Sequence, residues 1–167
     1  MASTNAMDKA AMNGHLKVVE YLHHNRMEGA TKSAMDWAAA NGHLDIVKFL
    51  HENRREGCTT QAMDLAATFG HLEVAKWLYT HREEGCTLAA IQGAVKRGHL
   101  EVVQWLYNEC AEEGVNLHVM DLAVVHGHLE LVQWLSEEKQ EEWSDHAIQI
   151  ARDKGYNQIT EFIESWL

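Results

Sequence analysis

Between residues 72 and 78 the chain sets Leu72, Val74, Ala75, Trp77 and Leu78 among polar neighbours, a spacing that predicts one apolar stripe on an α-helix. The pattern recurs. Gly-His-Leu stands at Gly14, Gly42, Gly70, Gly98 and Gly127, a degenerate Gly-Tyr-Asn follows at Gly155, and the spacings are 28, 28, 28, 29 and 28 residues. A fixed period of this length is the signature of a stacked repeat. Six units are expected, at 3–30, 31–58, 59–86, 87–115, 116–143 and 144–167, forming one array without a linker. Their opening residues, Ser3, Thr31, Thr59, Thr87, Asn116 and Ser144, are all good helix N-caps, because a short side-chain oxygen accepts an orphan backbone N–H. A first helix, as in Ala62–Ala67, should stop at the glycine of Gly-His-Leu in a left-handed turn. A second helix should end at Glu-Gly, as at Glu84-Gly85. Complete absence of proline suits this alternation of helix and glycine turn. The predicted fold is all-α, an α-solenoid of six stacked helix-turn-helix units.

Columns across the units suggest what is buried. One position of the second helix is always aromatic (Tyr21, Phe49, Trp77, Trp105, Trp134, Phe162), and the next is always aliphatic (Leu22, Leu50, Leu78, Leu106, Leu135, Ile163). Both are expected to form core ladders between neighbouring repeats. In the last unit Asn157 and Thr160 replace apolar residues, as a terminal cap requires. The first unit departs only at Lys9 and keeps an apolar flank around Val18, Tyr21 and Leu22. Either upstream repeats once covered that flank, or it supports weak self-association of an otherwise monomeric chain.

Ala38-Ala-Ala-Asn-Gly-His-Leu-Asp-Ile-Val resembles the centre of an ankyrin repeat, and the likeness recurs in five units and fades in the sixth. The family opens its first helix with Thr-Pro-Leu-His over a period of about 33 residues. Here Ala34-Met35-Asp36 stands in that place, and the units are shorter. The resemblance therefore implies a nearly all-α variant without the family's β-hairpin finger, with part of a turn added to the first helix. Tetratricopeptide and HEAT arrays, with periods of about 34 and 40 or more, fit less well. The resemblance also implies a protein-binding role through the concave face, which bears the ends of the first helices.

The residues point to that face independently. Around the first helix, about 100° per residue, Ala and Met recur on one side while the opposite side varies from unit to unit. The varying columns contain Met12, Trp37, Asn41, Leu65, Thr68, Phe69, Lys96, Arg97, Leu122, Val125 and His126. Packing residues repeat in a periodic array and recognition residues differ, so these eleven are the candidate partner-binding set. Trp37, Leu65 and Phe69 form its centre, an aromatic–aliphatic cluster of the kind that anchors protein partners. The alternative is that Trp37 and Leu65 fill the seam between neighbouring first helices. Asp8, Asp36, Asp64 and Asp121 form a further column, expected to be exposed and either merely solvated or attractive to a basic peptide.

Charge narrows the partner. Residues 1–83 carry 10 acidic and 9 basic side chains, whereas residues 84–167 carry 15 and 5, for a net charge of −11. Nucleic acids and anionic membranes call for Lys and Arg to displace counterions, so a protein partner is expected and neither of those. The start of the chain has no basic segment followed by an apolar one, so no secretory signal is expected. The three cysteines make neither an even framework nor a metal pattern, which favours a cytoplasmic, reducing location. Repeat-locked histidines such as His43 and His71 stand one unit apart and cannot converge on zinc. No cofactor is expected and no catalytic constellation appears. The chain reads as a binding module or adaptor; a self-associating structural array, or an engineered repeat scaffold, is the alternative.

Overall fold

A computed structural model describes residues 5–27, 29–110 and 119–166. These residues form twelve α-helices and no strand. In chain order they are α1 (Asn5–Met12), α2 (Leu16–Asn25), α3 (Lys32–Ala40), α4 (Leu44–Asn53), α5 (Thr60–Thr68) and α6 (Leu72–His81). Then follow α7 (Leu88–Lys96), α8 (Leu100–Glu109), α9 (Val119–His126), α10 (Leu129–Lys139), α11 (Asp145–Asp153) and α12 (Asn157–Glu164). The fold class is all-α, a solenoid-like helical repeat. Two compact units divide the chain, Met1–Ala90 and Ile91–Leu167.

In the first unit α3 packs between α1 and α5, and each of these helices pairs with its successor α2, α4 or α6. Alanines make the close approach of the first helices feasible. Ala34, Ala38, Ala39, Ala62, Ala66 and Ala67 are all buried, and a surface of methyl groups lets two helix axes approach at the short end of the usual 8–10 Å. Ile46, Val47 and Leu50 of α4 and Val74, Ala75 and Leu78 of α6 complete the core. In the second unit α9 packs on α10 and α11, and α12 on α10 and α11. Leu131, Val132, Leu135, Ile159 and Ile163 fill the space between them.

Thr31, Thr59, Thr87 and Ser144 cap helices as the sequence predicts, accepting N–H bonds from Ser33, Gln61, Ala89 and Ala147 at 3.1 Å. Ser3 and Asn116 lie outside the described residues. Gly42 adopts φ +77° after α3. There His43 N–H donates to Ala38 and Gly42 N–H to Ala39, the paired bonds that satisfy the last carbonyls of a helix. This glycine has a second reason. A Cβ on Gly42 would lie 2.6 Å from the His71 imidazole of the next repeat.

Three expectations need correction. The second helices end three residues before Glu-Gly, at Asn53 and His81, because the extended C-caps Arg54 and Arg82 turn the chain away first. The aromatic column is not core. Tyr21 is 61 % exposed, and Phe49, Trp77, Trp105, Trp134 and Phe162 are half-buried. Ile46, Val47 and Leu50 already occupy the inward side of α4, which leaves Phe49 on its flank. The aliphatic column is core from Leu50 onward, with Leu22 half-buried.

The aspartate column is the third correction. Asp8, Asp36 and Asp64 are 4–7 % exposed. Asp36 accepts from Thr59 N–H at 2.8 Å and from Thr59 Oγ1–H at 2.9 Å, and Asp8 and Asp64 do the same for Thr31 and Thr87. Asp121, half-buried, accepts from Ser144 N–H at 2.8 Å. Each carboxylate thus fastens the next unit's cap residue to its own helix. Burial raises the Asp36 carboxyl above its ordinary range, against the two Thr59 hydrogen bonds.

Candidate functional site

The varying columns of the first helices lie on the flank opposite the buried alanines. On α3, Ala34, Met35, Asp36, Ala38 and Ala39 are buried while Trp37 is 37 % exposed. Leu65 holds the equivalent position on α5 and is half-buried, and Phe69, the C-cap of α5, is 42 % exposed. Trp37 and Leu65 are each partly seated against the protein and partly open to solvent. Met12 and Thr68 are half-buried. Since α1, α3 and α5 pack side by side, these residues occupy matching registers on adjacent helices of one unit.

Asn41 is exposed, but its amide is already engaged: Nδ2 donates to the Trp37 carbonyl at 2.8 Å. Asn13 does the same for Lys9 at 2.7 Å. These asparagines close the last turn of a helix, and the remaining side-chain oxygen is what each can offer a partner. Packing behind this face comes from the imidazole of the following repeat. Burial lowers the pKa of His71, while its hydrogen bond to the Ala40 carbonyl works the other way.

The other five candidates belong to the second unit. Lys96, Arg97 and His126 are exposed, and Leu122 and Val125 are half-buried. His128 Nε2 lies 3.0 Å from the Lys96 carbonyl, Lys154 Nζ donates to the Val125 carbonyl at 2.8 Å, and His126 Nδ1 sits 2.9 Å from the Leu122 carbonyl. These helix-end carbonyls of the second unit are thereby engaged by histidine and lysine.

Sequence reasoning missed the seams between the second helices. Arg54 bonds Glu56 at 2.5 Å, and Glu56 Oε1 accepts from Ala30 N–H at 3.3 Å. Arg82 bonds Glu84 in the same way at 2.5 Å. Burial alone would raise Glu56, but Arg54 and backbone N–H groups hold it at about 2. Glu84 is held at about 2 chiefly by Arg82. The signal was present as a repeated Arg-x-Glu-Gly, but pattern alone read it as a helix stop. Cys58 lies beneath one of these bridges, and burial pushes its thiol up to about 11, leaving it a packing residue and not a nucleophile.

The family model for ankyrin repeats (3 copies) matches residues 7–88 and 63–145. The chain belongs to the ankyrin-repeat family. Among solved structures, the human ASB11 ankyrin repeat domain is similar, with a TM-score of 0.74 and 17 % sequence identity, over 96 % of this chain and 82 % of that one. At that identity the likeness shows the fold. No curated protein matches the sequence. Ankyrin repeats are in general protein–protein interaction modules. Among the described residues no helix is long and apolar enough to cross a membrane, and no group of three or more His, Cys, Asp or Glu could hold a metal ion.

Proposed function

We propose that this ankyrin array is an adaptor that binds a protein partner on the varying flank of its first helices, centred on Trp37, Leu65 and Phe69. The observation that carries the reading is the partial exposure of Trp37 and Phe69, 37 % and 42 %, on the flank opposite the repeating buried alanines. Large rings half out of water in an otherwise polar surface supply contact area at low entropic cost, as binding hot spots do. Asn41 and Thr68 give the rim hydrogen-bonding groups, and Met12 extends the apolar strip. Lys96, Arg97, Leu122, Val125 and His126 form the corresponding face of the second unit. The six divisions inferred from the sequence are the natural boundaries for dissecting the array, and a cytoplasmic location accords with three cysteines that make neither an even framework nor a metal pattern.

The test is affinity capture from a native extract with the wild-type chain and a Trp37→Ala/Leu65→Ala variant. The variant should lose its specific partner while far-UV circular dichroism stays unchanged; capture of the same partner by both proteins removes this surface from consideration.

A second reading has its own observation. On α2, Val18 is 45 % and Tyr21 61 % exposed, and this flank supports weak self-association. Sedimentation that reports a monomer at every concentration would sink that reading and leave the adaptor reading untouched.

A further inference from the structure

Along the second helices, a ring two residues beyond the column aromatic meets the next column ring in three rungs. His23 meets Phe49 edge-on with centroids 5.5 Å apart, His51 meets Trp77 at 5.1 Å, and Tyr107 meets Trp134 at 5.5 Å. In the first two rungs a guanidinium closes the seam. Arg54 Nη1 lies 3.5 Å from His23 Nδ1, and Arg82 Nη1 lies 3.4 Å from His51 Nδ1. Glu56 and Glu84 hold those guanidiniums at 2.5 Å. The first unit thus shows twice what chemistry suits the slot: a planar cation beside a ring, clamped by a carboxylate of the loop.

The last rung is built differently. The position that is His23, His51, Tyr79 and Tyr107 in earlier repeats is Ser136, buried and without a ring to set against the next column aromatic, Phe162. Where Gly29, Gly57 and Gly85 stand in earlier loops, the chain has Glu142, and Trp143 follows at the position of Ala30, Cys58 and Cys86. A cavity of about 480 Å³ opens here, with Ser136, Glu141, Glu142, Trp143, Asp145 and Trp166 in its lining and no basic residue. That volume falls within the range of ligand pockets. Trp143 and Trp166 both approach Phe162, at 6.5 Å and 6.0 Å between ring centroids. Glu141, at the loop position of Glu56 and Glu84, already accepts from Tyr107 of the preceding rung, so Glu142 and Asp145 are the carboxylates left for a cation.

We propose that this cavity receives the guanidinium of an arginine carried by a partner polypeptide. Indole faces attract a planar, weakly hydrated cation, and carboxylates at the mouth offer it paired, charge-assisted hydrogen bonds. The acidic excess of residues 84–167, 15 against 5, raises the local concentration of such a segment. The site shares no residue with the Trp37 face, so the two stand or fall separately.

Calorimetric titration of the full chain with acetyl-Gly-Arg-Gly-amide, and with its citrulline and lysine counterparts, tests the assignment. Saturable binding of the arginine peptide is expected, weaker by about 10-fold or more with citrulline, which keeps the shape and loses the charge. Trp166→Ala should weaken binding about 5- to 10-fold, and Ser136→Tyr, which restores the ring of the Tyr107 rung, should abolish it. Trp166 is 54 % exposed, so its removal leaves the fold intact and decides the matter even where Ser136→Tyr fails to fold. Equal binding of citrulline or lysine, or an unchanged affinity in Trp166→Ala, overturns the proposal, as does the absence of saturable binding at millimolar peptide.

Discussion

The two units obey the same backbone rules but seal their seams with different chemistry. In Met1–Ala90 a Gly-His-Leu turn, an aspartate fastened to the next cap threonine, and an Arg-Glu bridge recur with little change. In Ile91–Leu167 the turn persists: a Cβ on Gly98 would lie 2.6 Å from His128, and one on Gly127 would lie 2.9 Å from Tyr156. The seam does not persist. Cys110 replaces the arginine of the earlier loops. Tyr107 donates to Glu141, which together with burial pushes the phenol upward, and Lys139 lies 5.8 Å and 5.2 Å from the Tyr107 and Trp134 ring centroids. A positive φ beneath a neighbouring ring has essentially one residue that satisfies it. A surface seam between two helices can be closed by a salt bridge, a phenol or a cation over a ring, so divergence gathers there.

That contrast can be tested hardest at the glycines. Gly42→Ala meets both a left-handed φ and the His71 ring, and should cost about 2–4 kcal/mol in urea unfolding. Gly155→Ala has φ +71° but nothing within 4 Å of the added methyl, so only the conformational cost of about 1–2 kcal/mol remains. Equal losses would show that the neighbouring ring gives way freely. Next in size is Asp36→Ala, which strands the Thr59 N–H and hydroxyl; about 1–3 kcal/mol should be lost, with amide exchange quickening at the start of α5.

Acid should separate the seams. Glu56 and Glu84 are held at about 2, below the ordinary 4.5. Their contribution is complete above about 4.5 and is lost as pH falls towards 2. Asp36, raised by burial, has the opposite sign. A Glu56→Gln/Glu84→Gln variant should therefore flatten the decline of thermal stability between pH 4.5 and 2, an effect that thermal melts across this window would detect. Trp37→Ala should matter least, at about 1 kcal/mol or less for a part-exposed side chain. A loss several times larger would make Trp37 a seam residue first and a recognition residue second.

Much of the fold was legible because its period was. The Gly-His-Leu turns, the threonine caps and the alanine stripe each follow from a residue type that backbone geometry singles out. Asp36 and Phe49 were misread for one shared reason. A column shows that a position is constrained, but not which neighbour constrains it. Aspartate repeating every 28 residues looks the same whether it faces water or the next cap. The candidate face was legible as variation, and its helix-end asparagines were not recognised as partly committed to capping.

By itself, the sequence determined the helix pairs, their turns and the short all-α form of the ankyrin repeat, because local backbone preferences and a strict period leave few alternatives. Only the tertiary structure decided that the aspartates are buried latches, that the aromatic column is a surface ladder, and that Ser136 leaves a cavity lined by Trp143 and Trp166. Those facts depend on contacts some 23 to 34 residues apart. A period reveals such a separation, but the direction in which each side chain crosses it is set by packing.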